Sequence, residues 1–237
     1  MKPAIAKVMD SSAAEELGRA TLQIVHDLKN QINGLKLYAT FLRKRFERDD
    51  RSVEERETLA KLIAGLDIAA KEMTSLVRYA RPVELRRRPH ADLRKLILSA
   101  AEPPHRDSGG LEPRPVTLHV EDTGMFGEFD DILLGEALTA ITSEVRHSLS
   151  PKDAAVVSVH LHREGDEAVC EWRGGKLSLR HQPINNANGC GTIHTALAAK
   201  IIEAHGGRVL CDENLIQAWL PLTDKEQFPN HEQSKTR

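Results

Sequence analysis

Leu22-Gln23-Ile24-Val25-His26-Asp27-Leu28-Lys29-Asn30-Gln31-Ile32 opens the stretch whose reading decides the fold. Apolar residues continue from it at alternating steps of three and four, through Val25, Leu28, Ile32, Leu35, Ala39, Leu42 and Phe46. This spacing predicts one helix with a coiled-coil-like seam. Arg48-Asp49-Asp50-Arg51-Ser52 breaks the pattern and predicts a turn. The pattern resumes at Leu59, Leu62, Leu66, Ala69, Met73, Leu76 and Ala80, with Ile63, Ala70 and Val77 as a second apolar line beside it. Such a stripe is wider than one helix can cover, so two hairpins are expected to pair into a dimeric four-helix bundle. The second helix should stop at Arg81-Pro82, because proline disfavours helical geometry in the residue before it.

After Pro82 the texture changes. Basic residues 83–91 read as a linker, and Leu93 to Ala101 as a short amphipathic helix. Val116 to Val120 alternates like a half-buried strand, and Leu133 to Val145 reads as a helix. Val156 to His162 and Glu167 to Trp172 form an expected strand pair turning at Glu164-Gly165-Asp166. Thr195 to Ala204 predicts a helix closed by Gly206-Gly207, followed by strands at Val209-Cys211 and Gln217-Leu220. The fold class is therefore α+β, with a hairpin domain at 1–82, a sheet-and-helix domain at 92–223 whose helices pack on one face, and a polar tail at 224–237 expected to be disordered.

The totals narrow the function classes. The 237 residues carry a net charge of -2, so no positive field points to nucleic acid or an anionic membrane. Aromatics are only 4%, which argues against base-stacking platforms. The three cysteines, Cys170, Cys190 and Cys211, have no CxxC spacing and read as reduced thiols of a cytoplasmic protein. The start, MKPAIAKVMDSS, lacks the apolar core of a signal peptide, and no apolar run reaches membrane-spanning length. A soluble chain with its sensor on another polypeptide is the expectation.

The chemistry concentrates around His26. Its neighbours Val25 and Leu28 are seam positions, so the imidazole is expected beside the seam, directed to the bundle surface. An imidazole nitrogen is a good nucleophile at neutral pH and can hold a phosphoryl group. Asp27 can hydrogen-bond one ring nitrogen and leave the other free to attack. Asn30 lies one helical turn on and Gln31 near the same face, so either amide could orient a water or a phosphoryl oxygen.

His26-Asp27-Leu28-Lys29-Asn30 resembles the phosphoacceptor box of sensor histidine kinases, whose dimerisation and phosphotransfer domain is a helical hairpin. The ending Ala80-Arg81-Pro82 is similar to the Ala-Arg-Pro that closes the second helix in that family. Ala198-Ala199-Lys200-Ile201-Ile202-Glu203-Ala204-His205-Gly206-Gly207 resembles the helix and His-Gly-Gly turn after the family's ATP lid. The resemblance implies that His26 is the phosphoacceptor on a homodimeric bundle. It also implies a Bergerat-type ATPase-like α/β sandwich from about Asp92, and a response regulator receiver domain as partner.

The departures from the family concern the nucleotide. The asparagines that hold magnesium and phosphate correspond here to Ala140 and Glu144. Alanine cannot ligate, and the charge of glutamate opposes the phosphates. Where an aspartate should meet adenine the sequence has Glu171-Trp172-Arg173-Gly174. Trp172 takes the aspartate's place and is a candidate to fill the vacated adenine space. The glycine-rich lid is reduced to Gly189 and Gly191 around Cys190. These degenerate positions argue against an intact ATP site, and neither a cofactor nor a metal is expected.

The leading reading is thus a histidine phosphotransfer protein in a phosphorelay, with His26 exchanging phosphoryl with receiver domains that supply the magnesium site. The alternatives are a divergent active kinase using Mg-ATP, a pseudokinase scaffold, and a receiver phosphatase. Lys29 and Lys36 lie within reach of one helix face with His26 and could stabilise transferred charge, but plain solvated surface is the preferred reading. His160 and His162 alternate on a strand without a third ligand, and Arg86-Arg87-Arg88 lacks the aromatic interleaving of a nucleic-acid patch. His205 is expected to serve a helix terminus, where a partly charged imidazole suits the dipole.

Overall fold

The computed structural model describes residues 3–46, 52–102, 115–121, 124–148, 156–174, 192–212 and 215–223. It divides into two compact units, Met1–Pro82 and Val83–Arg237, each described by itself.

The first unit is a hairpin of α1 (Pro3–Phe46) and α2 (Val53–Ala80). Helix α2 starts on a capping box: the Ser52 hydroxyl accepts from the Glu55 N–H at 3.3 Å, and the Glu55 carboxylate accepts from the Ser52 N–H at 3.2 Å. It ends at Arg81, whose extended backbone is the conformation Pro82 requires. The heptad seam of α1 divides in two. Val25 and Ala39 are buried and Ile32 and Phe46 half-buried, and Ala39 and Phe46 pack with Leu59, Ile63 and Leu66 of α2. Leu28, Leu35 and Leu42, the other half of the same heptads, stay exposed, as do Ile24 and Tyr38. Residues 47–51, where a turn is expected, lie outside the described residues.

The second unit contains β1 (Arg88–Asp92), α3 (Leu93–Ala101), β2 (Val116–Val120), β3 (Phe126–Phe129), α4 (Asp131–Ser148), β4 (Val157–Glu164), β5 (Glu167–Arg173), α5 (Ile193–Ala204), β6 (Arg208–Cys211) and β7 (Leu215–Pro221). Five strands form one sheet in the order β2-β4-β5-β7-β6, with β2 and β4 parallel and the other pairs antiparallel. Cross-strand register aligns Val159 with Trp172 and Ile216, and Leu161 with Cys170 and Ala218, on one buried face. Helix α4 packs between α3 and α5, adding Leu134, Leu138 and Ile141 to the same core. Side chains alternate across a strand, so His160, Glu171 and Gln217 take the opposite face.

Several expectations change here. Arg88–Asp92 is not linker but strand β1, paired antiparallel with β3 around a bulge at which His90 has φ 59°. The pairing joins segments far apart in sequence, and neither one alternates clearly enough to announce itself. The reading of all cysteines as reduced thiols is also corrected. Cys170 is free and buried, but Cys211 is disulfide-bonded, and Cys190 lies outside the described residues. Separation along a chain does not keep thiols apart in space. The tail at 224–237 likewise lies outside the described residues. Among the described residues no helix is long and apolar enough to cross a membrane.

Candidate functional site

His26 sits in the middle of α1, over half exposed, because its position falls beside the stripe that packs on α2. Its Nδ1 is 3.3 Å from the Asn30 side-chain nitrogen and 3.5 Å from Asp27 Oδ1. Asp27 in turn accepts from the Gln23 amide at 3.1 Å. A bare Nδ1 accepts from Asn30, whereas a protonated Nδ1 faces the Asp27 carboxylate. Either way Nδ1 is the engaged nitrogen, and no described residue bonds to Nε2. The contact with Asp27 is long for a hydrogen bond, so Asn30 shares the orienting role expected of the aspartate.

Gln31 is not brought to this group. Five residues along an α-helix turn through about 140° from His26, which puts Gln31 among Ile24, Leu28 and Leu35. Lys36 is committed to an ion pair with Asp67 of α2, and Lys29 lies about 60° from His26 toward that partner helix. Lys36 is thus held away from the imidazole, while Lys29 remains an i+3 neighbour of His26. Two exposed apolar residues, Leu37 and Phe41, do share the His26 and Asn30 side of α1, although neither belongs to the heptad seam.

In the second unit Ala140 and Glu144 lie half-buried on α4, one turn apart. Trp172 is fully buried on the helix-facing side of β5, and its indole N–H donates to Thr142 Oγ1 of α4 at 2.9 Å. That hydroxyl donates to the Leu138 carbonyl at 2.8 Å, so every polar atom in the group has a partner. The indole is built into the joint between sheet and helix. Glu171 is turned to the other face, where it accepts from Gln217 at 2.6 Å and from Arg173 at 3.0 Å. Burial pushes its carboxyl pKa up, but these hydrogen bonds outweigh it and leave the pKa below its ordinary value. It therefore cannot stand in for an adenine-binding acid on the helix side. Gly174 follows β5 and is half-buried, while Gly189 and Gly191 lie outside the described residues.

His205 departs from its expected role. Its Nδ1 lies 2.8 Å from the Ile201 carbonyl and its Nε2 accepts from the Asp130 N–H at 3.0 Å. A carbonyl requires a proton on Nδ1 and an amide requires none on Nε2, so the ring is neutral, not cationic. His119 and His160 stack with ring centroids 4.5 Å apart. No group of three His, Cys, Asp or Glu among the described residues is placed to hold a metal ion.

No family model matches the sequence, and neither does any curated protein. Solved structures do match. ShkA, solved full-length in complex with AMPPNP, has 16% identity and a TM-score of 0.61, covering 86% of this chain. The chain spans 46% of the length of ShkA. The Acinetobacter baumannii histidine kinase AdeS has 10% identity and a TM-score of 0.49, covering 82% of this chain and 95% of AdeS. The mycobacterial sensor histidine kinase MprB has 17% identity and a TM-score of 0.41, covering 57% of this chain and 97% of MprB. The likeness to ShkA is one of fold: a histidine-kinase-like helical hairpin followed by an α/β domain with a mixed sheet.

Proposed function

We propose that this chain is a homodimeric histidine phosphotransfer protein of two-component signalling, relaying phosphoryl between receiver domains through His26. The observation that carries this reading is the contrast in availability between two sites. His26 is over half exposed with one ring nitrogen oriented by Asn30 and Asp27, whereas the position expected to meet adenine is a tryptophan sealed against Thr142.

In the transfer, His26 acts as its Nδ1–H tautomer, with that proton facing Asp27, and its bare Nε2 attacks the phosphorus of a receiver's aspartyl phosphate. The bond to the aspartyl oxygen breaks, its electron pair stays on the carboxylate, and the phosphoryl group passes to the imidazole. A second receiver's carboxylate reverses the step. Such transfer depends on in-line positioning and charge neutralisation, so little is asked of this chain beyond presenting the nucleophile. The exposed line of Ile24, Leu28, Leu35, Tyr38 and Leu42 supports pairing with a second copy, since a sustained apolar stripe calls for a partner.

A divergent kinase is the second reading, favoured by one observation: ShkA, which shares the fold, was solved with AMPPNP. Incubating the protein with a receiver carrying labelled aspartyl phosphate distinguishes the two. Acid-labile label appearing on the wild type and absent from His26→Ala supports relay. Retention of all label on the receiver, or its release only as inorganic phosphate, contradicts relay, the latter pointing to a phosphatase.

A further inference from the structure

Asp130 and His205 are buried polar residues that the phosphotransfer reading does not use, at 6% and 1% exposure. The Asp130 carboxylate accepts the Leu133 N–H at 3.0 Å, capping α4, and the Arg86 N–H at 2.8 Å. Its own N–H donates to His205 Nε2, and the His205 Nδ1–H donates to Ile201 in α5. Beside them the Arg87 guanidinium donates to the Ala204 carbonyl at 3.0 Å. Two consecutive residues of the segment that follows Pro82 are thus tied to the start of α4 and the end of α5.

We propose that Asp130 and His205 form a proton-operated latch, fastening the connector around Arg86-Arg87 while the imidazole is neutral and releasing it when the imidazole is protonated. A proton on Nε2 sets one donor against another, the Asp130 N–H. The charged groups facing the ring are Arg87 from the connector and Asp130 from the β3–α4 corner. Its other neighbours, the Phe129 ring at 6.0 Å and the Ile201 carbonyl, are uncharged. An imidazolium can be neutralised only by the Asp130 carboxylate, whose oxygens already hold Arg86 and Leu133. Taking that carboxylate displaces the connector amide or uncaps α4, and Arg87 is repelled in both cases. Burial foremost, and Arg87 after it, lower the His205 pKa against the opposing pull of Ile201 and Asp130, so the latch is closed at neutral pH.

Hydrogen exchange on the full chain from pH 8 to pH 5, corrected for intrinsic rates, tests this. Peptides spanning Arg86 should lose protection by up to about tenfold per pH unit once His205 titrates, while peptides from the centre of α4 keep theirs. His205→Gln, whose side-chain oxygen can still accept the Asp130 N–H but cannot titrate, should flatten the response. Connector protection that is constant with pH, or lost only together with α4, overturns the latch. Should the variant fail to fold, the wild-type protein still decides. Coincident NMR titration midpoints for the His205 ring and the Arg86 amide support the latch, and separate midpoints refute it.

Discussion

The hairpin and the α/β unit carry their informative residues in opposite ways. On α1, His26 and Asn30 are exposed, joined by a short i to i+4 contact, and surrounded by apolar residues that nothing in the unit covers. In the α/β unit Trp172 is a core residue on the helix-facing side of β5, and Glu171 is occupied by Gln217 and Arg173 on the far face. The difference teaches that a motif's chemistry and its fold can part company. A site that must meet another protein has to stay unsatisfied and exposed. A side chain sealed between sheet and helix, as Trp172 is against Thr142, serves packing instead.

The comparison breaks most visibly at His26. His26→Ala should abolish phosphoryl uptake from a receiver, to background in a label-transfer assay, and leave thermal stability within about 0.5 kcal/mol of wild type. A large loss of stability would mean that the residue belongs to packing after all. The exposed stripe comes next: Leu28→Glu with Leu35→Glu should convert a dimer to a monomer in light scattering, since charge facing charge opposes the pairing of two copies. An unchanged mass would remove that stripe from the dimer interface.

Trp172 sharpens the other half. Trp172→Ala should cost the α/β unit about 3–5 kcal/mol in denaturant unfolding, through the cavity and the Thr142 hydroxyl left without its donor. Trp172→Phe should cost less, and neither should alter transfer to an intact hairpin beyond what loss of folded protein explains. A wild-type midpoint for Trp172→Ala would show that the buried indole adds nothing to the stability of the unit, and would count against its filling a vacated space.

The pH dependence should be smaller again. His205 has a folded pKa below its ordinary value, because burial disfavours the charged ring. Asp130 is lowered too: burial raises it, but hydrogen bonds from Leu133, Arg86 and Ile132 outweigh that. In both cases the unfolded chain takes up the proton first as pH falls. Stability is complete above about pH 6.5, then declines through the histidine range and again below about pH 4, by at most about 1.4 kcal/mol per pH unit for each group. Urea titrations at stepped pH check the sign, and stability that rises on acidification refutes it. Asn30→Ala should have the mildest effect, a several-fold slower transfer at unchanged stability, and no change in rate would reduce Asn30 to a bystander.

What could be read in the sequence follows the range of the interactions. Helix α3 and strand β2 begin and end where amphipathicity and alternation place them, because both signals are local. Strands β1 and β3 are not legible in the sequence because their identity lies in mutual pairing, and Gly127 and Pro89 weaken each one's own signal. At the site, His26, Asp27 and Asn30 are legible as a short motif within two turns of helix. Gln31 falls outside the group because five residues overshoot one helical turn by about 140°. Thr142 as partner of Trp172, and Asp130 as partner of His205, are separated by 30 and 75 residues and are visible only once the chain is folded. The disulfide at Cys211 was obscured for the same reason.

The most direct test of a relay built on a closed nucleotide site is incubation with γ-labelled Mg-ATP, beside a parallel incubation with a labelled phospho-receiver and a His26→Ala control in each. The account predicts no label from ATP and His26-dependent, acid-labile label from the receiver. Label from ATP that disappears in His26→Ala would contradict it and make this chain a kinase.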